Sequence, residues 1–479
     1  MFSFTSIKDY HVQLADASIT CIQVVDDYLQ RIESKKHLNA FVEVYAHEAL
    51  QRASELDIKR TNGESLKKLH GVVIAIKDVL CYKGHRVTAA SKILEGFESV
   101  YTATAVQRLL DQDAIIIGSC NCDEFAMGST NENSVYGKVL NALDETKIPG
   151  GSSGGSAVAV QAALCMLSLG SDTGGSVRQP AGFCGIIGLK PTYGSISRYG
   201  LIAFASSFDQ VGIFGTTIAD AALLLEIMRG PDDFDCTSLP DINKPLVITG
   251  KKGKKYRIAY FPETLEHSLL DKEIKESILS LAGDLKKQGH TVEPVGFELL
   301  NFIVPAYYVL TTAEASSNLN RYDGVRYGYR TKSPVKDLTE FYKLSRSEGF
   351  GKEVKRRIML GTFVLSTGYY DAYYTKAQQV RRILADKTNI IFSQFDAIIL
   401  PVSPYTSFSF GEESTNPITI YLGDIYTVFA NLTGLPAISL PLFKHSNGLP
   451  FGLQIMTKRT DELTLLEISE ELMHLNKTY

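Results

Sequence analysis

The chain has 479 residues, of which 44% are apolar and 21% are charged, and its formal net charge is −4. These values are typical of a soluble globular protein with a substantial core, and the nearly balanced charge argues against a broad nucleic-acid-binding surface. The densest basic run, residues 251–255, is interpreted as a solvated loop.

Cysteine content and hydropathy indicate in which cellular compartment the protein is expected. The seven cysteines are scattered and odd in number, which predicts no disulfide framework and favours a reducing compartment. Cys120 and Cys122 lack the spacing and the second pair of a metal motif, so we expect buried thiols and no metal. The N-terminus, with Asp9 and Asp16, does not resemble a secretory signal. No apolar run approaches the roughly 20 residues of a bilayer span, and a cytoplasmic protein without membrane association is expected.

The predicted elements begin with helices and then alternate between strand and helix. The first 55 residues are predicted to be helical, with a cap at residues 18–20. Residues 70–78 form an almost continuously apolar, β-branched run, which is typical of a strand buried on both faces. The further predictions are a helix at 104–110, a strand at 114–118, a buried alanine-rich helix at 154–169, and strands at 256–260, 291–295 and 397–402.

The alternation from residue 70 to residue 300 predicts a layered α/β sheet. Residues 304–390 interrupt it with long helical patterns and many tyrosines, and they are interpreted as a helical insertion that folds over the sheet edge. No segment resembles a flexible linker, so a single domain over residues 1–479 is expected.

Two clusters rich in glycine and serine, at residues 150–156 and 170–176, are the most informative feature of the chain. Glycine gives up the most conformational freedom on folding, so two such clusters indicate a backbone bent to present hydroxyl and N–H groups. A nucleophilic hydroxyl beside amide donors is the chemistry of acyl transfer.

Two other interpretations of these clusters compete. A phosphate-binding loop is poorly supported, because no Gly-Lys-Ser/Thr follows Gly155 and the dinucleotide fingerprint is absent. Residues 151–155 match the nucleophile elbow of α/β-hydrolases, with Ser153 at the centre. That mechanism needs a histidine base, and His267, His290, His445 and His474 lie downstream.

A third interpretation uses a lysine as the base. Lys77 lies at the end of the predicted buried strand, and full burial lowers a lysine pKa by up to roughly three to five units. A neutral Lys77 is suited to act as a general base. A lysine at a strand end more commonly extends its amine to solvent, so spacing alone leaves both possibilities open.

Lys77, the cluster at 150–156 and the segment at 174–180 together resemble the amidase signature family, and the similarity runs over most of the chain. The resemblance implies a layered α/β/α fold with a large mixed central sheet flanked by helices. It places the signature core at about residues 65–215, followed by the helical insertion at about 304–390. The departures are conservative, since Cys120 and Cys122 replace usual methionines and Val177 replaces isoleucine.

The resemblance also implies the catalytic roles. Lys77 is expected to be the base, Ser152 the relay that follows a cis peptide bond, and Ser176 the nucleophile. The backbone N–H groups of Thr173, Gly174, Gly175 and Ser176 are expected to form the oxyanion hole, and Asp172, Ser153 and Arg178 to brace the loops.

Segments at 123–134, 320–328, 353–358 and 421–427 resemble one branch of the family, the glutamine-hydrolysing subunits of tRNA-dependent amidotransferases. This branch implies that the ammonia released from glutamine converts Glu-tRNA(Gln) to Gln-tRNA(Gln). It implies B and C partner subunits in a heterotrimer, with ATP and Mg²⁺ on a partner and no cofactor on this chain. A stand-alone amidase acting on small amides is the alternative.

The same resemblance assigns the glutamine contacts. Arg357 is expected to bind the α-carboxylate and Asp424 the α-ammonium, with Tyr308 and Ser129 as further contacts. By pattern alone, Arg357 fits equally well on a solvated basic helix face, Asp424 as a local cap, and Tyr308 in the core. A non-catalytic scaffold is a further alternative.

Overall fold

The computed structural model describes residues 2–240, 245–248, 253–412 and 423–476. Two parts of the sequence predictions lie outside these residues. They are Lys251 and Lys252 of the basic run, and Tyr421 and Leu422 of the last family-like segment.

The described residues form one mixed sheet of eleven strands, in the spatial order β1-β3-β2-β4-β6-β5-β10-β11-β9-β7-β8. The strands β2, β3 and β4 are mutually parallel, as are β9, β7 and β8, and the remaining pairs are antiparallel. The strands are β1 Phe41–Val44, β2 Val73–Lys77, β3 Ile115–Cys120, β4 Leu167–Asp172, β5 Ile187–Lys190, β6 Gln210–Gly215, β7 Arg257–Tyr260, β8 Thr291–Pro294, β9 Ala397–Pro401, β10 Ala437–Lys444 and β11 Pro450–Thr457.

Helices cover both faces of this sheet. On β9, Ala397 and Ile399 belong to one apolar core whereas Ile398 and Leu400 belong to another, because alternate residues of a strand point to opposite faces. The layered α/β/α prediction is therefore confirmed. The described helices are α1 Ile7–Ala15, α2 Cys21–Ser34, α3 Ala46–Thr61, α4 Thr104–Leu110, α5 Gly154–Gln161, α6 Arg178–Cys184, α7 Ile218–Met228, α8 Pro262–Leu265, α9 Lys272–Lys287, α10 Leu300–Asn318, α11 Leu338–Gly349, α12 Lys352–Val364, α13 Lys376–Ile391, α14 Ile425–Thr433 and α15 Glu462–Asn476.

The strand predicted at 70–78 is confirmed as β2, in which every residue is buried. It lies between the parallel strands β3 and β4, so both of its edges are hydrogen-bonded, and the burial of every residue shows that both of its faces are covered. The helix predicted at 104–110 and the strands predicted at 114–118, 256–260, 291–295 and 397–402 also form, with ends shifted by at most two residues. Thr20 caps α2 in a capping box with Gln23.

The helix predicted at 154–169 is wrong in its second half. The helix α5 ends at Gln161, the chain turns through Ala163 at a φ of 54°, and Leu167 begins β4. A wholly buried strand and a wholly buried helix both lack a polar stripe, so periodicity did not separate them. The all-helical prediction for the first 55 residues is also wrong at Phe41–Val44, which pairs with β3 as an edge strand.

Residues 304–390 are mainly helical, as predicted, with a loop at residues 322–337, and the described residues of this segment contain no strand. The long helix α10 packs against α12, α13 and α14. The prediction that the helical insertion at 304–390 is distinct from a signature core at 65–215 stays a prediction, and so does the assignment of a single domain.

The sheet topology brings Lys77 and the two glycine-serine clusters to the same edge of the sheet. Lys77 ends β2 and Asp172 ends β4, and the two strands are parallel neighbours. Parallel strands end at the same edge of a sheet, so Lys77 and the second glycine-serine cluster meet there. The first cluster reaches this edge through α5, whose N-terminus lies against backbone: a Cβ at Gly155 would lie 2.3 Å from the Asn121 carbonyl oxygen.

We expect Gly155→Ala to destabilise the protein by about 1–3 kcal/mol, because the added methyl group meets backbone atoms that cannot move aside. Gly283→Ala in α9 is the matched control, since a Cβ there has nothing within 4 Å. The control should gain up to about 1 kcal/mol from helix propensity. Urea unfolding of both variants checks this, and equal midpoints would contradict it.

Candidate active site

Lys77 is fully buried and its amine contacts three hydroxyl groups. Its Nζ donates to Oγ of Ser152 at 2.7 Å, of Ser171 at 2.9 Å and of Ser153 at 3.0 Å. The amine therefore does not reach solvent, and the sequence-level alternative of an extended, solvated lysine is wrong.

Burial lowers the pKa of Lys77 to about 8, although the nearby carboxylates of Asp123 and Asp172 act in the opposite direction. A substantial neutral fraction is therefore present at mildly alkaline pH. A neutral amine hydrogen-bonded to a hydroxyl group is arranged to take its proton.

Ser152 and Ser153, two of the three serines that contact Lys77, differ in what else they contact. The Ser153 hydroxyl donates to the Ser171 carbonyl oxygen at 3.1 Å and accepts from the Ser171 N–H at 3.2 Å. Its oxygen is thereby held by backbone, which supports a bracing role for Ser153. Ser152 follows a cis peptide bond from Gly151, in agreement with the expectation from the family resemblance.

Ser176 lies in the loop between β4 and α6 and is 8% exposed. Its carbonyl oxygen accepts a hydrogen bond from the Ser153 N–H at 3.3 Å, which joins the two clusters. Within the described residues, no hydrogen bond links Oγ of Ser152 directly to Oγ of Ser176. A side-chain hydrogen bond thus joins Lys77 to Ser152, and a backbone hydrogen bond joins the loop of Ser176 to Ser153.

The predicted oxyanion hole is modified at one position. The Gly175 N–H donates to Oδ1 of Asp172 at 2.9 Å, so this amide is already used. The amides of Thr173, Gly174 and Ser176 remain as candidate donors. Gly175 has a φ of +124°, and a Cβ there would lie 2.3 Å from Oγ1 of Thr427. Only glycine fits this close approach.

Asp172 and Arg178 form a buried ion pair behind the loop. Nε and Nη2 of Arg178 donate to the Asp172 carboxylate at 3.1 and 2.9 Å, and both side chains are fully buried. Burial alone raises the pKa of Asp172, but the Arg178 guanidinium outweighs it and holds that pKa well below its usual range. The carboxylate also accepts from the N–H of Val177 at 3.2 Å and from Nδ2 of Asn431 at 2.9 Å.

A pocket opens in front of Ser176 and brings together all four residues predicted to contact substrate. Tyr308 and Asp424 lie on its wall and are joined by a hydrogen bond of 2.6 Å from Oη to Oδ2. The other residues that line the pocket are Ala126, Gly128, Ser129, Gly151, Gly174, Gly175, Gln179, Phe204, Tyr307, Arg357 and Thr427.

Arg357 is oriented from three sides. Its Nε donates to Glu353 at 2.8 Å, one turn earlier on α12. Its Cζ lies 5.3 Å from the ring centre of Phe204 and 5.6 Å from that of Tyr308. Arg357 is 8% exposed, whereas the side chain of its neighbour Arg356 is 47% exposed. The solvated-face interpretation therefore applies to Arg356 and is wrong for Arg357.

Sequence reasoning did not identify Glu353, Phe204, Gln179 or Tyr307 at this site. Glu353 was recoverable, because a glutamate four residues before an arginine on a helix is a known pairing signal. Phe204 and Tyr307 reach the pocket through tertiary folding, and no local pattern distinguishes them from core residues.

The histidine-based alternative is wrong. His290 contacts Glu471, His445 contacts Asp271, and His474 contacts Glu470. The ring of His267 packs 6.3 Å from that of Tyr426. Ser153, the centre of the elbow-like match, hydrogen-bonds to a lysine instead.

Cys120 and Cys122 are buried, as expected for thiols without a ligand role. The described ranges contain no group of three or more histidine, cysteine or acidic side chains placed to hold a metal ion. They also contain no helix that is both long and apolar enough to cross a membrane.

The sequence profile described as Amidase matches residues 23–466 of this chain. The A subunit of the glutamyl-tRNA(Gln) amidotransferase of Chlorobaculum parvum is 49% identical to it over 99% of this chain and 99% of that protein. The protein of the same name from Pelodictyon phaeoclathratiforme is 49% identical over 98% of this chain and 99% of its own length.

Solved structures show the same similarity. The A subunit of the glutamyl-tRNA(Gln) amidotransferase of Thermotoga maritima matches with a TM-score of 0.77 and 40% identity, covering 94% of this chain and 90% of that chain. The peptide amidase of Stenotrophomonas maltophilia matches with a TM-score of 0.81 and 26% identity, covering 99% of this chain and 97% of that chain.

We expect the rate at which methanesulfonyl fluoride labels Ser176 to rise with pH through about 8 and then level off, because the neutral form of Lys77 is the reactive one. Lys77→Ala should slow labelling by about 10²–10⁴-fold and remove this rise. Lys83→Ala, at an exposed lysine, is the control. Mass spectrometry of the labelled peptide measures the rate, and an unchanged pH profile in Lys77→Ala would contradict the assignment.

Proposed function

Since this chain belongs to the amidase family, we propose that it is the glutamine-hydrolysing subunit of a glutamyl-tRNA(Gln) amidotransferase. The observation that carries the proposal is a single pocket that is lined by Ser176, Arg357 and Asp424. An α-amino acid presents one carboxylate and one ammonium, and these two side chains have the complementary charges.

The reaction begins with the buried amine. Neutral Lys77 takes a proton from Ser152, and Ser152 takes one from Ser176, whose oxygen attacks the side-chain amide carbon of glutamine. The negative charge on the tetrahedral oxygen is stabilised by the amides of Thr173, Gly174 and Ser176. Loss of one such donor typically costs about 10²–10³ in rate.

Collapse of the tetrahedral intermediate breaks the C–N bond and forms an ester with Ser176. The leaving nitrogen receives the proton that was passed to Lys77, so ammonia departs and the amine returns to its neutral form. A water molecule then attacks the ester by the same proton path and releases glutamate. The cycle consumes one water for each glutamine, and every proton is returned.

Recognition of the α-substituents supports glutamine over a simple amide. The Nε edge of Arg357 is occupied by Glu353, which leaves the two Nη groups as donors for a carboxylate. Asp424 is oriented by Tyr308 and supplies the negative charge opposite. Ser129 lines the same wall.

The remaining steps belong to other polypeptides. We propose that B and C subunits complete a heterotrimer, that ATP and Mg²⁺ bind on a partner, and that this partner holds Glu-tRNA(Gln) and amidates it with the ammonia released here. The net charge of −4 agrees with tRNA binding mainly to another subunit. This reaction belongs in the cytoplasm, where tRNA is charged with amino acids.

We expect Ser176→Ala to abolish glutamine hydrolysis without changing the fold, because the nucleophile is lost and a small side chain fits the same loop. In the complex with its partners, the variant should lose glutamine-dependent amidation of Glu-tRNA(Gln) and keep amidation driven by added ammonium chloride. Glutamate release and tRNA aminoacyl analysis measure the two activities. Glutaminase activity at the wild-type rate would remove Ser176 from its role.

We expect Asp424→Asn to raise the KM for glutamine by about 10-fold or more, since charge-assisted hydrogen bonds contribute about 1.5–3 kcal/mol. Hydrolysis of propionamide, which lacks an ammonium group, should change little. Steady-state kinetics on both amides separate the effects. An equal loss on the two substrates would argue against ammonium recognition and favour a stand-alone amidase that acts on small amides.

A further inference from the structure

Gln179 has a side-chain position that the mechanism above does not use. It lies one turn after Ser176, on the helix α6 that follows the nucleophile, and it lines the pocket. Its Oε1 accepts from the Gly151 N–H at 3.0 Å, and its Nε2 donates to the Ser129 carbonyl oxygen at 3.1 Å. One amide group therefore bridges two loops that come from different parts of the chain.

The orientation of this amide is fixed by its partners. The Gly151 N–H can only donate and the Ser129 carbonyl can only accept, so the oxygen and the nitrogen of Gln179 cannot exchange places. The bridge is also tightly enclosed, because a Cβ at Gly150 would lie 2.6 Å from Oε1 of Gln179. The relay loop thus closes directly onto this side chain.

The three attachment points have different roles in the reaction. Gly151 precedes the relay Ser152, and Ser129 lines the pocket. Gln179 itself is anchored to the nucleophile loop by the hydrogen bond from its own N–H to the Gly175 carbonyl oxygen at 2.9 Å. A shift of the relay loop relative to the nucleophile loop would have to break one of these bonds.

We infer that Gln179 is a positioning residue that sets the distance between the relay hydroxyl of Ser152 and the nucleophilic hydroxyl of Ser176. This inference rests on the proposed Lys77–Ser152–Ser176 chemistry. Proton transfer between two hydroxyl groups needs them within hydrogen-bonding reach, and a misplacement of about 1 Å can cost about 10²-fold in rate. Gln179 acts through the backbone at Gly151 and does not itself transfer a proton.

The chain contains a matched control. Gln161, at the end of α5, also bridges separate segments with one amide: its Oε1 accepts from the Ala142 N–H at 2.9 Å, and its Nε2 donates to the Cys184 carbonyl oxygen at 3.0 Å and to Oδ1 of Asn141 at 2.9 Å. Gln161 does not line the pocket. Gln161→Met removes three side-chain hydrogen bonds and Gln179→Met removes two, so the control is the more severe loss of bonds. Only the bridge of Gln179 lies between the relay and the nucleophile.

The test is the rate at which methanesulfonyl fluoride labels Ser176 in the full-length protein. We expect Gln179→Met to slow labelling by about 10–100-fold and Gln161→Met to leave it within about twofold of the wild-type rate. Gln179→Glu, which keeps an acceptor for the Gly151 N–H, should lose less than Gln179→Met and serves where the latter is insoluble. In a Ser152→Ala background, Gln179→Met should have no additional effect, because the step it positions is already absent.

Three results would overturn the inference. The first is a wild-type labelling rate in Gln179→Met. The second is a further slowing of labelling when Gln179→Met is added to Ser152→Ala. The third is a raised KM for glutamine in Gln179→Met with an unchanged labelling rate, which would make Gln179 a substrate contact. Failure of the proposed function is distinguishable from these results. Without the proposed Ser176 chemistry the wild-type protein would show no labelled Ser176, whereas a stand-alone amidase would keep the labelling and would not hydrolyse glutamine.

Discussion

The site depends on the hydrogen bonds between the buried amine of Lys77, at the end of an inner strand, and the hydroxyl groups around it. No carboxylate contacts Nζ of Lys77 among the described residues, and the three partners are serine oxygens. A direct ion pair would favour the charged form and raise the pKa. Hydroxyl partners solvate the amine without fixing its charge, so burial remains the dominant influence and the group can act as a base.

The carboxylate of Asp172 does not contact the amine of Lys77, although the two residues lie on neighbouring strands. Asp172 ends the strand next to Lys77, yet its carboxylate is occupied by Arg178, Asn431 and two backbone N–H groups. A buried ion pair adds little net stability. Here it fixes a loop: the same carboxylate holds the amides of Gly175 and Val177, which flank the nucleophile Ser176. The buried amine of Lys77 and the ion-paired carboxylate of Asp172 therefore lie on neighbouring strands and have separate tasks.

The sequence identified the strand that carries Lys77, because a short β-branched run without a polar face is typical of a strand covered on both sides. It also identified the family through the two glycine-serine clusters. It did not separate α5 from β4, since every residue of β4 and every residue of α5 except Gln161 is buried, so neither segment has a solvent-exposed polar stripe. The hairpin of β10 and β11 was missed, although Asn447 and Gly448 between them are a recognised turn signal. Gln179 was missed because its importance lies in bridging loops that are distant in sequence.

The residues proposed to hydrolyse the amide bond and those proposed to recognise glutamine lie on different parts of the fold. Lys77 and the loop at 173–177 extend from strands of the central sheet, whereas Arg357 and Tyr308 lie on α12 and α10 of the helical segment. Substitutions in those helices can therefore alter which amide is accepted while the cleavage machinery is inherited unchanged. Because the two sets of residues lie on separate parts of the fold, changes in the helical segment alone would let the same hydrolytic centre act on different amides.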